Sequence, residues 1–193
     1  MYRARFAERR EDSSIARRCR ERRNIKGAAA RLSSAGELAP GSIALFYRPR
    51  GTALLISLFT KSPYYHVAIV LNNNELIEAL PRGVVRTAIA EKRREHFYVI
   101  PPPSNATAQT ALKWAESKLG DGYDPADLIA IACDRIFAHL HVYFARKDRF
   151  TCGEFVATAY DKAGHDLVPG AKLEVVVPAD FGPLLPQGAS PYQ

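Results

Sequence analysis

From residue 42 the chain breaks into short apolar runs separated by polar punctuation, at lengths that suit strands. "SIALFY" (42–47) follows the turn pair Pro40-Gly41 and reads as a strand. "YHVAIVL" (65–71) is β-branched and apolar, "NNN" (72–74) supplies a turn, and "ELIEAL" (75–80) returns, so the three read as a hairpin. "GVVRTAI" (83–89) and "HFYVIPP" (96–102) predict two further strands and, with the hairpin, an antiparallel meander. "TALLISLFTK" (52–61) is apolar but has no period that chooses between helix and strand.

Past "PPPSN" (101–105) the pattern changes. "NATAQTALKWAESKLG" has apolar residues at 108, 112, 115 and 119, Asn105 as candidate N-cap and Gly120 as a stop, which predicts a helix. "PADLIAIACDRIFAHLHVYF" (125–144) reads as helical and largely buried, and "TCGEFVATAYDKAG" (151–164) as another helix. "LEVVV" (173–177) predicts a last strand before a Pro-rich end. Strands first and helices second indicate the α+β class.

Composition adds one asymmetry. The net charge of +7 resides in residues 1–31, which hold eleven Lys/Arg against four Asp/Glu; beyond them the charges cancel. Residues 1–36 therefore read as a basic N-terminal arm and 37–193 as one domain. The arm suits an acidic partner, nucleic acid or an anionic surface, and a solvated tail is the competing reading. No apolar run approaches the ~20 residues of a membrane span, so no transmembrane segment is expected. The arm lacks the apolar stretch of a secretory signal. Cytoplasmic synthesis is the expectation, with release or incorporation into a phage virion as the route out. Three cysteines, at 19, 133 and 152, form neither a disulfide framework nor a CxxC pair.

Of the three cysteines, Cys152 has the most informative context. "T-C-G-E" matches a capping box, with Thr151 as N-cap and Glu154 reaching back to it. Cys152 then becomes the first helical residue, where unsatisfied N–H groups and the helix dipole favour thiolate over thiol. Gly153 leaves room for a substrate carbonyl to approach the backbone. The competing reading is a buried structural cysteine, which explains Cys133 better and leaves Cys19 without context.

A reactive thiol needs a base, and the histidines are 66, 96, 139, 141 and 165. With a hairpin loop at 72–74, opposed residues sum to 146, so His66 faces Leu80 and Ala68 faces Glu78. Glu78 then sits diagonally from His66 on the same face, roughly 7–8 Å away at Cα and within side-chain reach. Glu75 has the opposite parity. A carboxylate in so apolar a strand is costly to bury unless it has a partner. "HLH" (139–141) invites a metal reading with Cys133, but residues two apart do not share a helix face and the usual zinc spacings are missing. No metal or other cofactor is expected.

Three segments together resemble the circularly permuted branch of the NlpC-type papain-like cysteine hydrolases. They are "PGSIALFY…YYHVAIVL…ELIEAL…GVV", "LGDGYD", and "FTCGEFVATAYDKAG" followed by "VVPADF". In this branch the His strand precedes the Cys helix, as here. The resemblance spans about residues 39–182. It implies a papain-like α+β fold, with strands first and the nucleophile helix near the C-terminus. It also implies a triad of Cys152 as nucleophile, His66 as base and Glu78 as third polar residue. The long apolar connection before the Cys and the basic arm depart from the family pattern.

The expected activity is acyl transfer through an acyl-enzyme, with the Cys152 backbone N–H as one oxyanion donor. The resemblance points to a peptide amide in cell-wall peptidoglycan as substrate. Two alternatives stand beside it. One is lipid acyl hydrolysis or transfer at a membrane surface, as in lecithin–retinol acyltransferase-type enzymes, whose third residue is typically another His. The other is a non-catalytic subunit of a larger assembly.

Overall fold

The computed structural model describes residues 38–48, 54, 57, 61–92, 94–123 and 149–192. The arm (1–36) and the apolar connection (125–144) lie outside the described residues, as do Cys19, Cys133, His139 and His141. Most of the 52–61 run lies outside them too.

Five strands form one antiparallel sheet: β1 (Ile43–Tyr47), β2 (Tyr64–Asn72), β3 (Glu75–Leu80), β4 (Gly83–Ala88) and β5 (His96–Ile100). Among the described residues two α-helices follow, α1 (Asn105–Ser117) and α2 (Cys152–Lys162). The α+β class expected from the sequence is thus present. The β2–β3 register is the expected one in the strand body, with Ile69 opposite Ile77 and Val70 opposite Leu76. The turn is tighter than expected: β2 runs on to Asn72, a bulge separates Val70 from Asn72, and only Asn73 and Asn74 turn.

The expected meander is corrected at β5. The spatial order is β4-β3-β2-β1-β5, so the last strand skips β4 and pairs with the free edge of β1. A 3₁₀ segment, Ile89–Lys92, lies between β4 and β5. Its Ile89 packs on the sheet face formed by Ala44, Phe46, Ala68, Val70, Leu76 and Phe97. The chain thus crosses this face to reach the far edge, which a reading of strand propensity does not reveal.

The opposite face carries Ile43, Leu45, Val67, Ile69, Ile77 and Val84, and packs against the helices. Both faces being covered explains why β2 and β3 read as continuous apolar runs rather than alternating ones. Helix α1 buries Ala108, Ala111, Leu112 and Ala115. Its N-cap is Ser104, whose hydroxyl accepts from the Thr107 N–H, and the expected cap Asn105 is the first helical residue. Gly41, at φ +80°, lets β1 begin against α1, because a Cβ there would lie 2.5 Å from Ala108 Cβ. The Tyr160 hydroxyl of α2 donates to the Gly41 carbonyl and ties the same corner to the second helix.

A short parallel pair was not foreseen. β6 (Gly122–Tyr123) and β7 (Arg149–Phe150) run side by side, and the Val84 N–H donates to Asp121 O at 2.8 Å. This delivers the chain to the start of α2. Phe150 then packs edge-on against both Trp114 and Phe155, at centroid distances of 5.6 and 5.9 Å.

"LEVVV" is not a strand, which corrects the sequence expectation. Leu173–Val175 form a 3₁₀ turn, and Val176 and Val177 continue in extended conformation. The run of valines does signal burial. It is met by packing across the start of α2 instead of by joining the sheet.

Candidate active site

The α2 N-terminus forms as the sequence pattern requires. Thr151 has extended backbone angles and caps the helix. Its hydroxyl accepts from the Glu154 N–H at 3.2 Å, and the Glu154 carboxylate accepts from the Thr151 N–H at 3.3 Å. Cys152 is therefore the first residue of the helix, where its own N–H has no intrahelical acceptor. Cys152 is 2% exposed.

Gly153 has a different role from the one expected. A Cβ there would stand 2.1 Å from Val176 O and 3.0 Å from Val177 Cα. The missing side chain admits the chain's own 176–177 backbone, not a substrate carbonyl.

His66 lies near the start of β2, opposite Phe46 and beside the point where the β1–β2 register shifts. Phe46 is fully buried, and its ring centroid is 5.4 Å from that of the imidazole. The hairpin parity places Glu78 on the same face. His66 Nε2 and Glu78 Oε2 are 2.6 Å apart, and the Glu78 side chain has no exposure at all. Glu75, of opposite parity, instead accepts from Asn72 Nδ2 at 3.0 Å.

The three residues selected from the sequence come together. With Nε2 committed to Glu78, Nδ1 is the ring nitrogen left to serve the sulfur. The Cys152 side chain is near enough to act on the charge of the ring. Burial works against the charged imidazole, but hydrogen bonds and charge interactions with Cys152 and Glu78 outweigh it and push its pKa up to about 9. Glu78 responds in the opposite sense. Burial favours its neutral form, yet His66 foremost, then the Lys92 ammonium and the nearby Thr87 hydroxyl, hold its pKa down at about 2. The site therefore stores an ionised, buried imidazolium–carboxylate pair across the neutral range.

No protein-family model matches the chain, and no curated protein sequence matches it. What the site can do is therefore argued from its geometry. A thiol at a helix start, an imidazole between thiol and carboxylate, and a carboxylate sealed from water make a set competent for nucleophilic chemistry.

Sequence reasoning missed Lys92. Its ammonium is 3.1 Å from Glu78 Oε1 and 5.3 Å from the centroid of the Phe46 ring. In the sequence it sits in "EKRRE" (91–95), which reads as a solvated charge run. Only the crossing of the sheet face by Ile89–Lys92 brings it over the buried carboxylate. The other described histidines are not in the site: His96 packs beside Tyr47 and His165 beside Tyr160. Among the described residues no group of three His, Cys, Asp or Glu side chains could hold a metal ion, and no helix is long and apolar enough to cross a membrane.

Proposed function

We propose that the protein is a cysteine hydrolase that cleaves an amide bond through an acyl-enzyme, with Cys152 as nucleophile, His66 as general acid and base, and Glu78 as the residue that positions His66. The observation that carries this reading is the continuous line from the Cys152 sulfur through the His66 ring to the buried Glu78 carboxylate.

The chemistry follows from that line. His66 takes the Cys152 proton, so that the two act as a thiolate–imidazolium pair. The sulfur attacks the substrate carbonyl carbon and a C–S bond forms. The oxyanion is received by the Cys152 backbone N–H. His66 passes its proton to the leaving nitrogen as the C–N bond breaks. It then takes a proton from water, whose oxygen adds to the thioester and frees the acid and the thiol. Throughout, Glu78 fixes the ring through Nε2 and so leaves Nδ1 for the sulfur.

The order along the chain, His strand before Cys helix, is that of the permuted NlpC-type papain-like hydrolases, and the antiparallel sheet followed by the nucleophile helix fits that fold. The same resemblance makes peptide amides of cell-wall peptidoglycan the favoured substrate. A carboxylate rather than a second histidine as third residue favours the amidase over the lipid acyl transferase.

The test incubates the full chain separately with purified peptidoglycan sacculi and with phospholipid vesicles, and identifies released fragments by mass spectrometry. Release of peptide fragments by the wild type, abolished in Cys152→Ala with an unchanged circular dichroism spectrum, is the expected result. Release of fatty acid or lysolipid alone moves the substrate to lipids. Inertness towards both, together with a thiol no more reactive than free cysteine, overturns the enzymatic reading in favour of a structural subunit.

A further inference from the structure

The charged row does not end at Glu78. Its second carboxylate oxygen, Oε1, is 3.1 Å from Lys92 Nζ, whose side chain is only 11% exposed. Cys152 as thiolate, His66 as imidazolium, Glu78 and Lys92 form a sequence of alternating sign, minus-plus-minus-plus, across a helix, two strands and the 3₁₀ segment. The Phe46 ring packs beside both His66 and Lys92, at 5.4 and 5.3 Å. One apolar side chain thus backs the two cations that hold the two oxygens of one carboxylate.

We propose that Lys92 is a positioning residue of the catalytic row, whose ammonium neutralises Glu78 and so allows the Cys152 thiolate to form without leaving a net buried charge. The proposal rests on the reading of Cys152 and His66 as a reacting pair. With Lys92 in place, thiolate formation brings the row to zero net charge. Without it the same step leaves one uncompensated negative charge on a row whose thiol and carboxylate are buried, which is costly. His66 holds Glu78 ionised more strongly than Lys92 does. Loss of the lysine therefore leaves Glu78 charged near neutrality, and the cost falls on the thiolate.

The other groups around Lys92 do not replace it. Glu95 Oε1 is 3.8 Å from the ammonium, and Glu95 Oε2 accepts from the Tyr65 hydroxyl at 2.8 Å. Arg82, Glu91 and Glu95 line a cavity of about 410 Å³ with Thr87 and Lys92. Arg82 is the other cation there; it is exposed, and its guanidinium makes no ion pair with Glu78 among the described residues.

The experiment is the pH dependence of Cys152 alkylation by iodoacetamide in the wild type, Lys92→Met and Lys92→Arg. Methionine keeps the apolar stem and removes the charge. The acid limb of Lys92→Met is expected to move up by about one pH unit, a roughly tenfold lower rate constant at pH 5. Lys92→Arg is expected to keep the limb within about 0.3 of a pH unit of wild type, less than half a kcal/mol. A Lys92→Met profile that superimposes on wild type overturns the proposal. So does one lowered uniformly with its limbs unmoved, the mark of a packing role. Should the methionine variant not fold, Lys92→Gln carries the same comparison. A wild type without a low-pH limb sinks the reacting-pair reading instead. In that case carbon-13 titration of the Glu78 carboxyl still tests Lys92, whose removal is expected to raise the Glu78 midpoint; an unmoved midpoint counts against the lysine's role.

Discussion

His66 Nε2 and Glu78 Oε2 meet at 2.6 Å, although twelve residues and a hairpin turn separate them along the chain. They are diagonal neighbours on one face of β2 and β3, and a register slipped by one residue would turn Glu78 to the other face. The contact is therefore a direct product of the two-residue turn and the bulge behind it.

Replacing Glu78 by Gln keeps the shape and removes the charge. Both His66 and Lys92 then lose a buried counter-ion. Breaking a buried pair from one side costs about 3–5 kcal/mol, and an unoriented base costs hydrolysis by about 10²-fold or more. Glu78→Gln is thus expected to lose both stability and activity. Glu75→Gln, three positions away but on the opposite face, is expected to change neither beyond twofold. Urea denaturation and initial rates on the same preparations compare them. Equal losses in the two variants would refute the assignment by parity.

The hairpin partner and the helix cap were legible in the sequence because both obey local rules. Strand residues alternate faces with period two, and Thr151-x-x-Glu154 is a four-residue pattern. Lys92 was not legible. Its place depends on which edge of the sheet the chain reaches after β4, and that is decided by non-local packing of Ile89 on the Phe46 face. "LEVVV" failed for a related reason: apolar β-branched residues report burial, and whether sheet or helix does the burying is a tertiary fact. Gly153 holds the helix position that the pattern predicts, but the neighbour it makes room for is Val176, 23 residues further along the chain and beyond any local rule.

The ion pair also sets a pH window for stability. His66 is raised from 6.5 to about 9 in the fold, so its contribution is complete below pH 6.5 and is lost as pH rises through about 9. Glu78 is lowered from 4.5 to about 2, so its contribution is complete above pH 4.5 and is lost as pH falls through about 2. Both are in full effect only between pH 4.5 and 6.5. Thermal melting across pH 3–9.5 is expected to show a plateau in that interval and a decline on either side, with the alkaline decline reduced in His66→Ala. A wild-type melting temperature that does not fall between pH 6.5 and 9 would contradict the pairing.

Thr151 acts on the thiol through the helix cap. Thr151→Ala strips the Glu154 N–H of its acceptor and should cost about 1 kcal/mol. Because Cys152 is the next residue, fraying of the first turn also moves the sulfur away from the His66 ring. The expected result is a modest fall in the urea midpoint with a larger fall in alkylation rate, both recovered by Thr151→Ser. A stability loss with an unchanged alkylation rate would show that the cap does not place the thiol.

Gly153→Ala sets two opposing effects against each other. Alanine is favoured over glycine within a helix by about 1 kcal/mol. The added methyl would lie 2.1 Å from Val176 O and 2.7 Å from Val176 C. Overpacking in a well-filled interior costs about 1–3 kcal/mol and occasionally more. The atoms it meets are backbone, which cannot rotate away as a side-chain end can. The clash is therefore expected to win: the melting temperature falls, and the first turn of α2 is displaced together with the sulfur. A melting temperature that rises in Gly153→Ala would mean that the 176–177 segment yields easily and does not hold the nucleophile helix in place.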